Sequence, residues 1–415
     1  MTAEEKLAAA LHSGRYHIYD GKIIENFLAG SEDETICAED IYLLDNHQLR
    51  MAYMYVSLPS DVAAETLLIP ELARLLNGRR TLYEAYVITT FLRDVPKDDG
   101  ECRAVLEVIR ELAADQRCSL RRAPELTAGD LLNALKKLDI PADVKMVVHS
   151  SCASLGGISG GAAAVARTLI DYCGSTGTLM MPSFDFPYYL RKNDDTCFDL
   201  ENTPSCVGAI TDEFRKLPGV FRSLNPSHSI AVYGAHNIPW IADHHQTLTM
   251  GKDSPLGKLE SSGGYALMIH CPDSVTFMHV VETSHRVHCL GYRNEEYLTR
   301  LPDGELKKIR TWGWRNGECP AYDREKIFAF LRENGLIREI MVRHSLWQFF
   351  KLADYRNAYE KVVIHGRNGC ISCPLMPRET PDNVPSDWNW ETSAPDPETT
   401  AFTGEYPGCS AAKKA

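Results

Sequence analysis

The segment from Met146 to Phe186, MVVHSSCASLGGISGGAAAVARTLIDYCGSTGTLMMPSFDF, constrains this chain more than any other. It reads as a short apolar strand, Val144 to Val148, that breaks into a loop of His149, Ser150, Ser151, Gly156, Gly157, Gly160 and Gly161. An Ala-rich helix over Gly160–Cys173 follows, then a second apolar strand, Thr178 to Met181, closed by Pro182. A polar, glycine-rich turn entering a helix presents unpaired N–H groups at the positive end of the helix dipole, which suits a phosphorylated ligand. The same turn also lets a helix pack closely on a sheet, and spacing leaves both readings open. The segment fails the GxxxxGK[ST] phosphate loop and the GxGxxG dinucleotide fingerprint, so neither a nucleoside triphosphate nor NAD is indicated.

Strand and helix signals continue to alternate downstream. A helix is expected over Thr127–Leu138, with Thr127 as N-cap and Asp130 at the capping-box position. Further elements are expected at Cys206–Leu217, Ile230–Val232, Tyr265–Cys271 and Val275–His288, and helical segments between Trp312 and Cys373, including Arg324–Asn334. This rhythm predicts an α/β domain with a mixed or partly parallel sheet covered by helices. Residues 1–122 form an N-terminal extension with helical patterns at Ala3–Leu11, Glu65–Leu76 and Cys102–Ala114 and no catalytic motif. Residues 123–373 form the main domain. From Pro374 to Ala415 the chain turns to Pro, Asp, Glu and Thr, the composition of a disordered acidic tail, with Trp388 and Trp390 as docking points.

The formal net charge of −12 argues against nucleic acid or an anionic membrane as a partner and is compatible with a cationic one. No apolar stretch is long enough to span a bilayer, and the first residues lack a signal-peptide pattern, so a cytoplasmic protein is expected. Thirteen cysteines, an odd number without a framework, read as reduced thiols. Oligomeric state is left open, a homodimer being compatible.

The segment resembles the aminoglycoside 3-N-acetyltransferase, or antibiotic N-acetyltransferase, family, whose members carry a similar VHSSL run followed by a GG-A-x-A-V helix start and a G-T-L-(V/I)-MP-(S/T) strand. Three further blocks follow in order: FRSLNPSHSIAVYG (Phe221 to Gly234), MGKDSPLGKL (Met250 to Leu259) and SVTFMHVVE (Ser274 to Glu282). The resemblance covers roughly residues 125 to 373. It implies the antibiotic N-acetyltransferase fold, distinct from the GNAT type, and acetyl-CoA as co-substrate. The acceptor it implies is an amine of an aminoglycoside, at the 3-N position, or of a similar amino sugar. Two other functions stay open: a biosynthetic N-acyltransferase acting on another amine-containing natural product, and a non-catalytic binding protein on a degenerate scaffold.

Acyl transfer from a thioester to an amine requires a base, stabilisation of an oxyanion and positioning of both reactants. His279 is the expected general base, since imidazole titrates close to neutral pH, and Glu282 lies one helical turn on, sharing a face with it. Glu282 could instead pair with Arg286. His228 is the second candidate base, because this chain has Asn225 where relatives carry His. The resemblance assigns His149, Ser150, Ser151, Gly160, Gly161, Pro182 and Ser183 to coenzyme A, with backbone N–H groups near Ser151 or the second strand steadying the oxyanion. Asp185, Asn225 and Ser254 are expected at the acceptor, Ser254 with an alternative as a helix N-cap, and Asp185 with the acidic run Asp194, Asp195 and Asp199 reads as an attractant for a cation or equally as a solvated loop. Cys152 beside the serines invites a nucleophile reading, although relatives carry Leu or Phe there. Cys319, His365, Cys370 and Cys373 could close a structural zinc site, since some relatives end in a similar GCxxC; adventitious thiols are the alternative.

Overall fold

The computed structural model describes residues 54–57, 77–81, 119–122, 125–184, 197–271, 275–285, 287, 295–301, 303–311, 319, 321–343, 345–367 and 370. They divide into two compact units, the first made of Met1–Leu131, Cys152–Gly161 and Met341–Leu346, the second of the remainder. The sequence-predicted helices before residue 119 and the tail beyond residue 370 lie outside the described residues.

In the first unit, β1 (Met54–Ser57) is the centre of a three-stranded antiparallel sheet, between β2 (Asn77–Thr81) and β3 (Ser119–Arg122). Helix α1 (Ala128–Lys137) begins at the expected cap. The Thr127 N–H donates to Asp130 Oδ2 at 2.8 Å, and the Asp130 N–H returns a bond to Thr127 Oγ1 at 3.3 Å. These bonds satisfy two backbone donors that the first helical turn leaves orphaned, and the Thr127 hydroxyl, then its N–H, hold the Asp130 carboxyl below its usual range. Leu126 ties down the glycine-rich loop by backbone bonds with Gly157 and Ser159.

The second unit is built on a seven-stranded mixed sheet in the order β12-β13-β9-β4-β5-β8-β7. Its centre is parallel: β4 (Lys145–Ser150) lies between β5 (Thr178–Pro182) and the later β9 (Tyr265–Ile269). Burial is complete along β5 and nearly so along β4, which accounts for their continuous apolar runs. Helix α2 (Gly161–Cys173) carries the chain from β4 to β5 and buries Val165, Ala166, Leu169 and Cys173. Gly160 and Gly161 start this helix with φ of 80° and 62°, a conformation that β-carbons strain. A Cβ at Gly161 would meet no protein atom within 4 Å, so within the protein it is the positive φ of the turn that favours glycine there.

After β5 come β6 (Phe198–Asp199), α3 (Ala209–Phe214), β7 (Phe221–Arg222) and β8 (Ile230–Gly234), the last antiparallel to β5. Helices α4 (Asn237–Ile241) and α5 (Pro255–Ser261) lead into β9, and α6 (Met278–Ser284) follows it. A hairpin, β10 (Glu295–Arg300) and β11 (Leu306–Thr311), pairs with β6 over a small core of Phe198, Leu200, Leu224, Leu301 and Ile309.

The region expected to be helical after Trp312 is only partly so. Helix α7 (Arg324–Glu333) forms as expected, capped by Asp323, whose side chain accepts the Lys326 N–H at 3.0 Å. The chain then makes two strands, β12 (Ile337–Val342) and β13 (Ser345–Lys351), before α8 (Leu352–Tyr359) and a π turn over Glu360–Ile364. Strand β13 is buried from Ser345 to Phe350, so it shows no polar–apolar alternation, and its extended form is fixed by antiparallel pairing with β9. Among the described residues no helix is long and apolar enough to cross a membrane.

Candidate active site

Helix α6 carries the expected base. One turn separates His279 from Glu282, and the imidazole Nδ1 lies 2.7 Å from Glu282 Oε2. The Glu282 side chain is almost fully buried, and its other oxygen accepts the Tyr359 hydroxyl at 2.6 Å. An ionised carboxylate only accepts, so the hydrogen-bond network assigns the proton to Nδ1 and leaves the Nε2 lone pair for another group. Nε2 has no protein partner among the described residues, and the His279 side chain remains 13% exposed. Arg286, the competing partner for Glu282, lies outside the described residues.

His228 faces this pair and is a different kind of histidine. Its ring stands edge-on to Phe184 with centroids 4.7 Å apart. Burial, with repulsion from His279 and His244, pushes its pKa down to about 3, so it is neutral at physiological pH. A base so weak is a poor proton acceptor. His244 is also neutral, its pKa lowered to about 4 chiefly by burial. Its Nε2–H donates to the Thr249 carbonyl at 2.9 Å, and Nδ1 accepts the Ser223 hydroxyl at 2.8 Å.

Asn225, before β8, and Ser254, before α5, both have local structural roles. Asn225 is buried and held on both sides: Oδ1 accepts from Ser227 Oγ and the His228 N–H, and Nδ2 donates to Thr249 Oγ1. Its bond from the His228 N–H shapes the turn that presents His228. Ser254 is likewise buried and spent as the N-cap of α5, accepting the Gly257 N–H at 3.3 Å and donating to Gly251 O at 2.7 Å. Arg222, which sequence reasoning passed over, is a buried cation that holds Thr203 O, Ser183 O and Ser229 Oγ and lies over the Phe198 ring. Its signal was the Arg in the FRSLNPSHS block.

At the carboxyl ends of the central strands the boundary moved. His149 and Ser150 belong to β4, not to a loop, and both are buried. Their side chains point to opposite faces of the sheet. Burial alone pushes the His149 pKa down to about 3. His149 Nε2, Ser150 Oγ and Ser183 Oγ are buried without a hydrogen-bond partner among the described residues. Two backbone donors of this region are taken within the sheet: the Ser151 N–H donates to Ile269 O at 2.9 Å and the Ser183 N–H to Ser229 O at 2.8 Å. Both extend the sheet ladder beyond the strand ends, so neither is free for a reacting carbonyl. Pro182 is the last residue of β5, opposite Ile230.

Burial raises the Cys152 thiol above its ordinary pKa, which disfavours the thiolate a nucleophile requires. Asp185, Asp194 and Asp195 lie outside the described residues, and Asp199 is used locally, its carboxylate accepting the N–H groups of Glu201 and Asn202. Among the described residues no group of three or more His, Cys, Asp or Glu is placed to hold a metal. Cys319 and Cys370 are buried, His365 is exposed with its ring against that of His285, and Cys373 lies outside the described residues.

The mixed sheet with its covering helices is an antibiotic N-acetyltransferase-type fold. The chain belongs to the aminoglycoside 3-N-acetyltransferase family, whose model matches residues 147–363. The SPbeta prophage-derived aminoglycoside N(3')-acetyltransferase-like protein YokD of Bacillus subtilis is 30% identical over 175 residues, covering 38% of this chain and 64% of that protein. Aminoglycoside N(3)-acetyltransferase III of Pseudomonas aeruginosa is 30% identical over 171 residues, covering 38% and 63%. The chain thus spans less than two thirds of these curated relatives. The crystal structure of YokD aligns with a TM-score of 0.50 at 23% identity, over 57% of this chain and 93% of that one, which is a likeness of fold.

Proposed function

We propose that this chain is a cytoplasmic acetyltransferase that moves the acetyl group of acetyl-CoA to an amine of an aminoglycoside, at the 3-N position, or of a similar amino sugar. The His279–Glu282 pair carries this reading: it supplies an oriented imidazole with Nε2 available, in the block that the family pattern shares. His279 Nε2 takes a proton from the acceptor amine as its nitrogen forms a bond to the thioester carbonyl carbon. The tetrahedral intermediate collapses with cleavage of the carbon–sulfur bond, and coenzyme A leaves as the thiolate. Glu282 holds the ring in one tautomer and stabilises the imidazolium formed in the transition state.

His149, Ser150 and Ser183 are assigned to acetyl-CoA, because a ligand at the carboxyl ends of these strands would satisfy buried polar atoms that have no partner among the described residues. Ser151 and Pro182 border them. Gly160 and Gly161 contribute through the turn into α2, and Asp185 stays assigned to the cationic acceptor.

The test is thiol release from acetyl-CoA, measured with a panel of aminoglycosides and simple amines. Release that depends on an aminoglycoside is the expected result. Release only with other amines, or only from a longer acyl donor such as succinyl-CoA, favours a biosynthetic N-acyltransferase. Absence of release with every pair overturns the enzymatic reading.

A further inference from the structure

We infer that Arg356 is a positioning residue for the helix that carries His279: its guanidinium, forked on Glu260 of α5, holds α6 at both ends and so aims the imidazole. This rests on the acyl-transfer reading of the same site. Helix α6 has seven residues, and Phe277 at its N-cap makes no side-chain capping bond. Isolated helices shorter than about 12–15 residues are marginal in water, so the direction of α6 is set by what packs on it. The Arg356 side chain makes three separate holds. Nε and Nη2 donate to the two carboxylate oxygens of Glu260, the second at 2.6 Å. Nη1 donates to Ser284 Oγ at 2.8 Å, and that hydroxyl donates in turn to Val281 O at 2.7 Å. The guanidinium face lies over the Phe277 ring, 5.7 Å from its centre.

Phe277 precedes α6 and Ser284 ends it, so one side chain touches both ends of the helix on which His279 sits. The cation also lies at the negative end of the α6 dipole. The holds refer α6 to the central sheet. Helix α5 is fixed by the Ser254 cap at its start and by the Gly264 N–H on Leu259 O at its end, and the chain then enters β9. Helix α8 starts from the same point, the Leu352 N–H donating to Gly264 O at 3.0 Å. A second tie lies beside the first: Glu360 Oε1 is 2.8 Å from Nε2 of His285, the C-cap of α6, and 3.6 Å from Arg356 Nη1. A planar fork transmits an orientation that the point charge of an ammonium on a flexible stem does not.

The control is Arg332, which makes the same two-pronged pair with Glu339, at 2.7 and 2.8 Å, between α7 and β12. Arg356→Lys and Arg332→Lys each keep the charge and lose the fork. Ser284→Ala removes only the hydroxyl through which Arg356 reaches the end of α6. Thiol release, measured well below the melting temperature of each variant, should show kcat lowered about 10-fold in Arg356→Lys, with the KM for acetyl-CoA unchanged. Ser284→Ala should show a smaller loss of the same kind, and Arg332→Lys the kcat of wild type. Imidazole 15N resonances of His279 report its surroundings independently of turnover, and they should move in Arg356→Lys and Ser284→Ala but not in Arg332→Lys. Unmoved His279 resonances in Arg356→Lys and Ser284→Ala overturn the inference, as does an equal loss of kcat in Arg332→Lys. If wild type releases no thiol, the acyl-transfer reading fails while the 15N resonances still decide the role of Arg356.

Discussion

Two histidines of the family-patterned segments, His149 at the end of β4 and His279 on α6, sit in opposite circumstances. His149 is enclosed on the central strand, has no partner for Nε2 among the described residues, and is held neutral with a pKa of about 3. His279 keeps part of its surface exposed and donates its Nδ1–H to a buried carboxylate that also accepts from the second helix. Both are motif histidines, and only the second has the partner that orients an imidazole and accommodates the charge it gains. The difference teaches that a motif position names a residue, whereas its neighbours set its chemistry.

The sharpest way to break this contrast is to exchange the losses. His279→Ala should lower kcat by roughly 10²–10⁴-fold with the KM for acetyl-CoA unchanged, the usual worth of general acid–base catalysis. His149→Gln should act mainly on acetyl-CoA affinity and stability. A collapse of kcat in the His149 variant, with near-wild-type turnover in the His279 variant, would reverse the assignment.

Stability against pH probes the buried side of the comparison. His149 and His228 titrate at about 3 and His244 at about 4 in the folded chain, below the ordinary value of about 6.5. The unfolded chain therefore binds more protons between those limits. The stability of the fold is complete above about pH 6.5 and falls as the pH drops towards 4; by pH 5, His149 alone costs about 2 kcal/mol. Urea midpoints measured at pH 7.5 and pH 5 should show the decline. Equal midpoints would mean that these imidazoles are not buried as neutral groups.

A smaller effect sharpens the division between structural and chemical residues. Ser254→Ala should destabilise the chain by about 1 kcal/mol, the cost of losing a helix cap, and leave the KM for the acceptor unaltered. A raised acceptor KM at unchanged stability would return Ser254 to the substrate.

Local features were readable along the chain. The Thr127–Asp130 box, the Ser254 cap, the core of β4 and the shared face of His279 and Glu282 depend on residues within a few positions of each other. The strands after Trp312 were not readable, because β13 is buried along its length and takes its conformation from β9, far away in sequence. Burial of His149 and Ser150 was hidden for a similar reason: polar residues at a strand end resemble a loop until flanking strands are known to extend beside them.

By itself the sequence determined the alternation of elements, the family blocks and the one-turn spacing that pairs an imidazole with a carboxylate, since these are set by helix and strand geometry and by side-chain type. Only the tertiary structure decided which polar groups are saturated and which histidines stay neutral. It also placed Tyr359, 77 positions from Glu282, against that carboxylate. Those outcomes depend on desolvation and on hydrogen-bond partners brought in from distant segments, which local spacing does not encode.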